Sequence, residues 1–357
     1  MEDILEIEAQ IAALKERLGK RVCIVGHHYQ RDDIVKFCDH VGDSLQLIQQ
    51  IPHLAAEYII FCGVSFMGET AALLARKDQH ILLPMQQTSS RTVGMPTPRQ
   101  LENVLADLRS RGHTFLPLVY VNSSIELKAL TGRHGGAMCT SSNLRRMLQW
   151  AFRRSSHVLF VPDRNLGRNT AMQIGMTSEH WHVLDVDEKG LKPGVDQPLD
   201  RHLLLWPGYC GIHEAYTPTM VQDMRFAHPG CRITVHSEAS PEVVALADAA
   251  GPTSFLILDA QETARTGKTP VLVIGTELNL VNRLRMKFMN QCTIRPLLDT
   301  ADQCDNTAIV EPVRLLACLQ DIERGTAGGI DLTDEDKAAA AQAVNRMLEA
   351  CGPASIR

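Results

Sequence analysis

The sequence predicts an α/β protein built on parallel sheets, and three observations carry that prediction. A short apolar, β-branched run, a polar or Gly-containing turn and an Ala/Leu-rich helical stretch recur six times along the chain. The apolar runs lack strict alternation, as strands covered on both faces do. His, Glu, Asn, Ser and Thr stand just past those runs, where open parallel sheets bind their ligands.

The elements follow in order. Residues 3–18 place Ile4, Ile7, Ile11, Leu14 and Leu18 at helical spacing, and Gly19 stops the helix. A strand at 21–25 leads into Gly26-His27-His28-Tyr29-Gln30, and one at 58–61 into a turn at Gly63 and a helix through Leu74. Strand 116–121 leads into Asn122-Ser123-Ser124 and a helix at 126–130, and strand 157–161 into Pro162-Asp163-Arg164-Asn165. Strand 232–235 leads into His236-Ser237-Glu238, after which Pro241 opens a helix through Ala250. Strand 271–274 leads into Gly275-Thr276-Glu277 and a helix near Arg283. Six such units exceed one small sheet, and their shared grammar points to two or three related α/β domains. From Asp331 onward a charged, Ala-rich amphipathic helix is expected on the surface.

Composition narrows the function. Hydrophobic residues make up 45% and charged residues 22% of 357, the balance of a globular protein with a full core. A net charge of -5 without a basic run argues against nucleic-acid binding. No apolar run reaches membrane-spanning length, and the acidic N-terminus lacks a secretory pattern, so a cytoplasmic location is expected. The ten cysteines are scattered without a CxxC pair, which reads as reduced core thiols rather than a disulfide scaffold. GxGxxG and GxxxxGK[ST] do not occur, so neither the dinucleotide fingerprint nor the P-loop is available.

Several strand-end groups could carry chemistry. His27, His28 and Tyr29 set three titratable rings side by side, suited to general acid work; the plain alternative is a solvated or loop-bonded histidine. His236 and Glu238 share a pocket only if the chain bends at Ser237, since alternate strand residues face opposite ways. They read as an acid–base pair, a carboxylate anchor or a surface ion pair. Gly42-Asp43-Ser44 and Thr140-Ser141-Ser142-Asn143 precede helical patterns; they can cap helices and bind anions by the same physics. Cys210 stands three residues before His213 in a Gly-rich loop, a weak metal signal, and Cys304 sits in a polar loop.

The ordered motifs resemble quinolinate synthases across nearly the whole chain. They are His27-x-Tyr29-Gln30, Gly42-Asp43-Ser44, Phe66-Met67-x-Glu69-Thr70, Tyr120-Val121-Asn122-Ser123, Cys139-Thr140-Ser141-Ser142-Asn143, Pro162-Asp163-x-Asn165, Trp206-x-Gly208-x-Cys210-x-Ile212-His213, His236-x-Glu238 and Gly251-x-Thr253-Ser254. The resemblance implies three similar α/β (Rossmann-like) domains around a pseudo-threefold axis with a central active site. The first domain would span 1–97, with the C-terminal helices of 310–357 packed on it; the second would span 98–210 and the third 211–309. It implies condensation of iminoaspartate with dihydroxyacetone phosphate to quinolinate, with loss of phosphate and water, in NAD biosynthesis. An aspartate-oxidising enzyme would supply the imine, and the chain would act as monomer or homodimer.

The same resemblance assigns residues. His27, Tyr29, Tyr120, His236 and Glu238 would be catalytic; Ser44, Asn122, Ser141, His213 and Thr253 would bind substrate. Cys210 and Cys304 match the second and third cysteine ligands of a [4Fe-4S] cluster, and Ser90 stands where the first cysteine is expected. Thiolate is the usual ligand of such clusters, so a single Fe or Zn ion is the alternative. Ser90 also leaves open a paralogue making a related pyridine or carbon–carbon bond. A non-catalytic dicarboxylate or metal sensor is the further alternative, disfavoured by the retained acid–base residues.

Overall fold

A computed structural model describes residues 2–85, 92–299 and 310–352. Three parallel sheets organise it. The first holds β1 (Val22–His27), β2 (His40–Gly42), β3 (Tyr58–Cys62) and β4 (His80–Leu82) in the order β2-β1-β3-β4. After the short β5 (Thr92–Val93), the second holds β6 (Leu116–Tyr120), β7 (Ala137–Cys139), β8 (Val158–Val161) and β9 (Trp181–Val183). The ribbon of β10 (Val186–Asp187) and β11 (Gly190–Leu191) then precedes β12 (Leu203–Leu205), and the second sheet reads β7-β6-β8-β12-β9. Beyond β13 (Tyr209–Cys210), which pairs with β5, the third sheet holds β14 (Arg232–His236), β15 (Ala249–Gly251), β16 (Val271–Gly275) and β17 (Thr293–Pro296) in the order β15-β14-β16-β17. All three repeat one winding, with the opening strand inside and the second strand at an edge. The expected α/β class with three similar parallel sheets is therefore observed.

The chain divides into two compact units. The first comprises Met1–Arg91, Glu277–Arg283 and Thr300–Thr333; the second comprises Thr92–Thr276, Leu284–Asp299 and Asp334–Arg357. In the first unit the helix Glu2–Leu18 turns Ile11, Leu14 and Leu18 onto a core shared with Ile24, Ile60 and Leu315, Leu319 and Ile322 of the helix Pro312–Arg324. Heptad-like spacing of those apolar residues is what makes one face of each helix bury. In the second unit Ile233, Val235, Val243 and Val273 form the core of the third sheet.

Two expectations need correction. The helix opened by Pro241 ends at Leu246, and Ala249–Gly251 forms β15 instead. Strand pairing with Thr234–His236 overrides the helical propensity of alanine there, and Asp248 ties the edge by accepting from Ile233 N. The C-terminal helices also do not stay together. Asp334–Cys351 packs in the second unit against the helix Ile125–Arg133, where a Cβ on Gly132 would meet the Ala339 carbonyl at 1.9 Å. Its small face of Ala339, Ala340 and Ala343 permits that approach, and Arg346 donates to the Gly132 and Gly136 carbonyls.

Candidate active site

The strand ends of the second unit converge on Glu238. The chain bends at Ser237, as a shared pocket required, because Glu238 N donates to His236 Nδ1 at 3.3 Å and Ala239 N to the His236 carbonyl at 3.0 Å. Glu238 Oε2 lies 2.9 Å from His213 Nδ1 and 3.8 Å from His236 Nδ1, and each of the three side chains is 3% exposed. The His213 and His236 rings stack at 4.2 Å. His213 Nε2 contacts Thr276 Oγ1 at 3.2 Å, and Tyr216 donates its phenol to the Thr276 carbonyl. With His236 Nδ1 accepting a backbone N–H, its Nε2 carries the proton in the neutral ring.

The charges sort themselves around this carboxylate. Burial alone would raise the Glu238 pKa, but His236, His213 and Tyr120 outweigh it and hold the group down at about 2. Burial and the neighbouring Glu238 charge push Tyr120 well up, so the phenol stays protonated; the Ser141 hydroxyl bonds it. Burial and Glu238 likewise push Asp163 up, against the backbone N–H groups of Leu166 and Cys210 that its oxygens accept. The ionised Glu238 carboxylate therefore stands buried beside a protonated phenol and two histidines, which is how sites separate acid and base roles.

Other site residues take simpler places. Asn122 follows β6, partly buried, and Thr253 opens the helix Thr253–Thr266. Ser141 does not cap a helix: the next helix begins at Leu144, with Asn143 Oδ1 turned back to Thr140 N. In the first unit His27 and Tyr29 are buried with their rings edge to face at 4.7 Å, and Tyr29 N donates to His27 Nδ1. Asp43 caps the helix Ser44–Gln50 in a capping box with Gln46, while Ser44 donates to Met67 Sδ.

Donor chemistry bears on a metal. Donor atoms of Cys210, His213 and Glu238 lie within 4.8 Å of one another, a sulfur, nitrogen and oxygen set that suits a single Fe or Zn ion. Asp163 positions Cys210 through its backbone N–H. Cys304 and Ser90 lie outside the described residues. The donor set is a poor match to a three-thiolate [4Fe-4S] cradle, since Ser90 offers a hydroxyl. Cys62 and Cys139 are fully buried thiols with pKa raised well above the usual range, Cys62 by a hydrogen bond with Cys38 and by burial, Cys139 by burial, as structural cysteines are.

Reading strand ends found His27, Tyr29, His236 and Glu238, and the resemblance added Tyr120 and His213; neither gave a role to Asp163, Asn165, Asn169, Glu214 or Thr276. Glu214 accepts from Arg164 at 2.6 Å and Asn165 at 2.5 Å, which braces the helix that carries His213. Asp163 and Asn165 were signalled by the Asp-x-Asn run after β8, which a helix cap explains equally well, and Thr276 by its place in the turn after β16.

Parallel α/β sheets whose strand ends gather a buried carboxylate, two histidines and a phenol define an α/β protein with a buried cluster of acid–base side chains. The profile of quinolinate synthetase A protein matches residues 9–349. The chain is 40% identical over 346 residues to the quinolinate synthase of Bacillus velezensis, covering 96% of this chain and 93% of that protein. It is 40% identical over 347 residues to that of Geobacillus kaustophilus, with 96% and 93% covered. The Bacillus subtilis enzyme is 38% identical over 351 residues, with the same coverage. This chain belongs to the quinolinate synthetase A family. None of its described helices is long and apolar enough to cross a membrane.

Proposed function

We propose that this protein makes quinolinate in the cytoplasm, condensing iminoaspartate with dihydroxyacetone phosphate and releasing phosphate and two waters. The observation that carries this reading is the Glu238 carboxylate, buried and ionised between His213 and His236 and beside the protonated Tyr120 phenol. Family membership supplies the reaction, and that cluster supplies its proton traffic.

Glu238 accepts the proton that must leave carbon when an enamine or enolate forms. A carboxylate held near 2 is a weak base, so substrate must loosen its bond to His213 before it works. Tyr120 donates to the departing hydroxyl, and His236 offers its Nε2 proton to a substrate carboxylate. Tyr29 with His27 exchanges protons during isomerisation and dehydration. Ser44, Asn122, Ser141, His213 and Thr253 bind the carboxylates and the phosphate. The domain boundaries at 97/98, 210/211 and 309/310 belong to the same reading.

Cys210 would hold the metal, with Cys304 and Ser90 as companions by position. A bound metal supplies Lewis-acid polarisation of a leaving hydroxyl. Elemental analysis of anaerobically prepared protein separates the choices: about four iron and four sulfide per chain means a [4Fe-4S] cluster, and about one Fe or Zn means a single ion. The function itself is tested by supplying freshly made iminoaspartate and dihydroxyacetone phosphate and measuring quinolinate. Wild-type protein loaded with iron that yields no quinolinate overturns the reading.

A further inference from the structure

Two turns in this protein share one hydrogen-bond plan. One is His27-His28-Tyr29 after β1, the other His236-Ser237-Glu238 after β14. In each, the N–H following the histidine donates to a glycine carbonyl on the neighbouring strand, His28 to Gly42 at 3.1 Å and Ser237 to Gly251 at 3.0 Å. The next N–H donates to the histidine Nδ1, at 3.2 Å for Tyr29 and 3.3 Å for Glu238. The third donates to the histidine carbonyl, at 2.9 Å for Gln30 and 3.0 Å for Ala239. With the amides turned inward, three successive carbonyls of each turn need donors from elsewhere.

Both turns get them from two residues spaced i and i+4 on one helix. In the first unit, Asn279 Nδ2 donates to the Tyr29 carbonyl at 3.2 Å. Arg283 bridges the flanking pair, with Nη1 to His28 O at 2.7 Å and Nη2 to Gln30 O at 2.5 Å. In the second unit, Asn165 Nδ2 donates to the Glu238 carbonyl at 3.3 Å. Asn169 Nδ2 bridges the flanking pair, to Ser237 O at 2.9 Å and Ala239 O at 2.8 Å. Asn279 and Asn165 are second, and Arg283 and Asn169 sixth, in the helices Leu278–Lys287 and Arg164–Gln173. Residues four apart share a helix face, and an amide or guanidinium offers the two N–H groups a bridge requires. The middle carbonyl belongs in each case to the acid–base residue.

We propose that Arg283 and Asn169 are positioning residues: each grips the turn that aims an acid–base side chain, Tyr29 in one case and Glu238 in the other. The physical reason is that a turn fixed on its amides alone can still tilt its middle residue. Bridging the two flanking carbonyls removes that tilt, and small misplacements of a proton-transfer group cost large factors in rate. The kinetic part of this inference rests on the proposed function; the structural part does not.

The test uses full-length, metal-loaded protein carrying Arg283→Lys, which keeps the charge but loses the fork, or Asn169→Ser, which removes both amide N–H donors and leaves a hydroxyl too short to bridge the two carbonyls. Amide hydrogen exchange should quicken at 28–30 in the first variant and at 237–239 in the second, with β1 and β14 still protected. kcat should fall about 10- to 100-fold with KM little changed. Adding Arg283→Lys to Tyr29→Phe, or Asn169→Ser to Glu238→Gln, should slow the enzyme no further. Unchanged exchange at the turns, or losses that add in the double variants, would overturn the proposal. Should Asn169→Ser not fold, Arg283→Lys carries the test alone, since its partly exposed side chain tolerates change. If wild-type protein makes no quinolinate, the function fails, and exchange by itself decides the clamp.

Discussion

His213 Nδ1 lies 2.9 Å from Glu238 Oε2, both side chains are 3% exposed, and the second ring of the pair, His236, stacks on the first. A hydrogen bond this dry to a carboxylate gains strength from the low local dielectric. Glu238→Gln keeps the shape and removes the negative charge and the base. Quinolinate formation should fall by about 100- to 10,000-fold, with thermal melting still cooperative. Full turnover in a folded Glu238→Gln protein would remove Glu238 from the mechanism.

Cys210 is the half-buried thiol beside this pair, held by Asp163 through its backbone N–H. Cys210→Ala should lower the iron or zinc per chain to near zero, as elemental analysis would read, without unfolding the sheets. Metal retained at the wild-type level would place the ion elsewhere.

His28 is held neutral. Burial lowers its pKa, and although Asp43 opposes and Arg283 assists, the result is about 4 against an ordinary 6.5. The unfolded chain therefore binds a proton that the fold refuses, so the fold keeps full stability above about 6.5 and loses it as pH falls toward 4. The loss is on the order of 3 kcal/mol. His28→Asn should flatten the fall in melting temperature over that window, and an unchanged slope would assign the acid sensitivity to another group.

Gly132 sits where a Cβ would meet the Ala339 carbonyl at 1.9 Å. Backbone cannot yield there without moving the terminal helix. Gly132→Ala should destabilise by about 1–3 kcal/mol or more, read from urea unfolding, with the Arg346 bonds to Gly132 and Gly136 lost together. Equal stability would mean that the helix pair has room to shift.

What the sequence by itself determined is local. Apolar β-branched runs ending in polar turns placed β1, β3, β6, β8, β14 and β16 within a residue or two, and named His27, Tyr29, His236 and Glu238 as strand-end residues. Periodicity along one segment is written in that segment, so it can be read there. The tertiary structure alone decided that Ala249–Gly251 is a strand, because pairing with β14 outweighs alanine's preference. It alone set the terminal helix against Gly132, and it alone made His213 a partner of Glu238 and Asn169 the support of its turn. Those relations join residues from 15 to about 200 positions apart. A charge state or a bridging hydrogen bond depends on which groups meet after folding, and no window of sequence contains both partners.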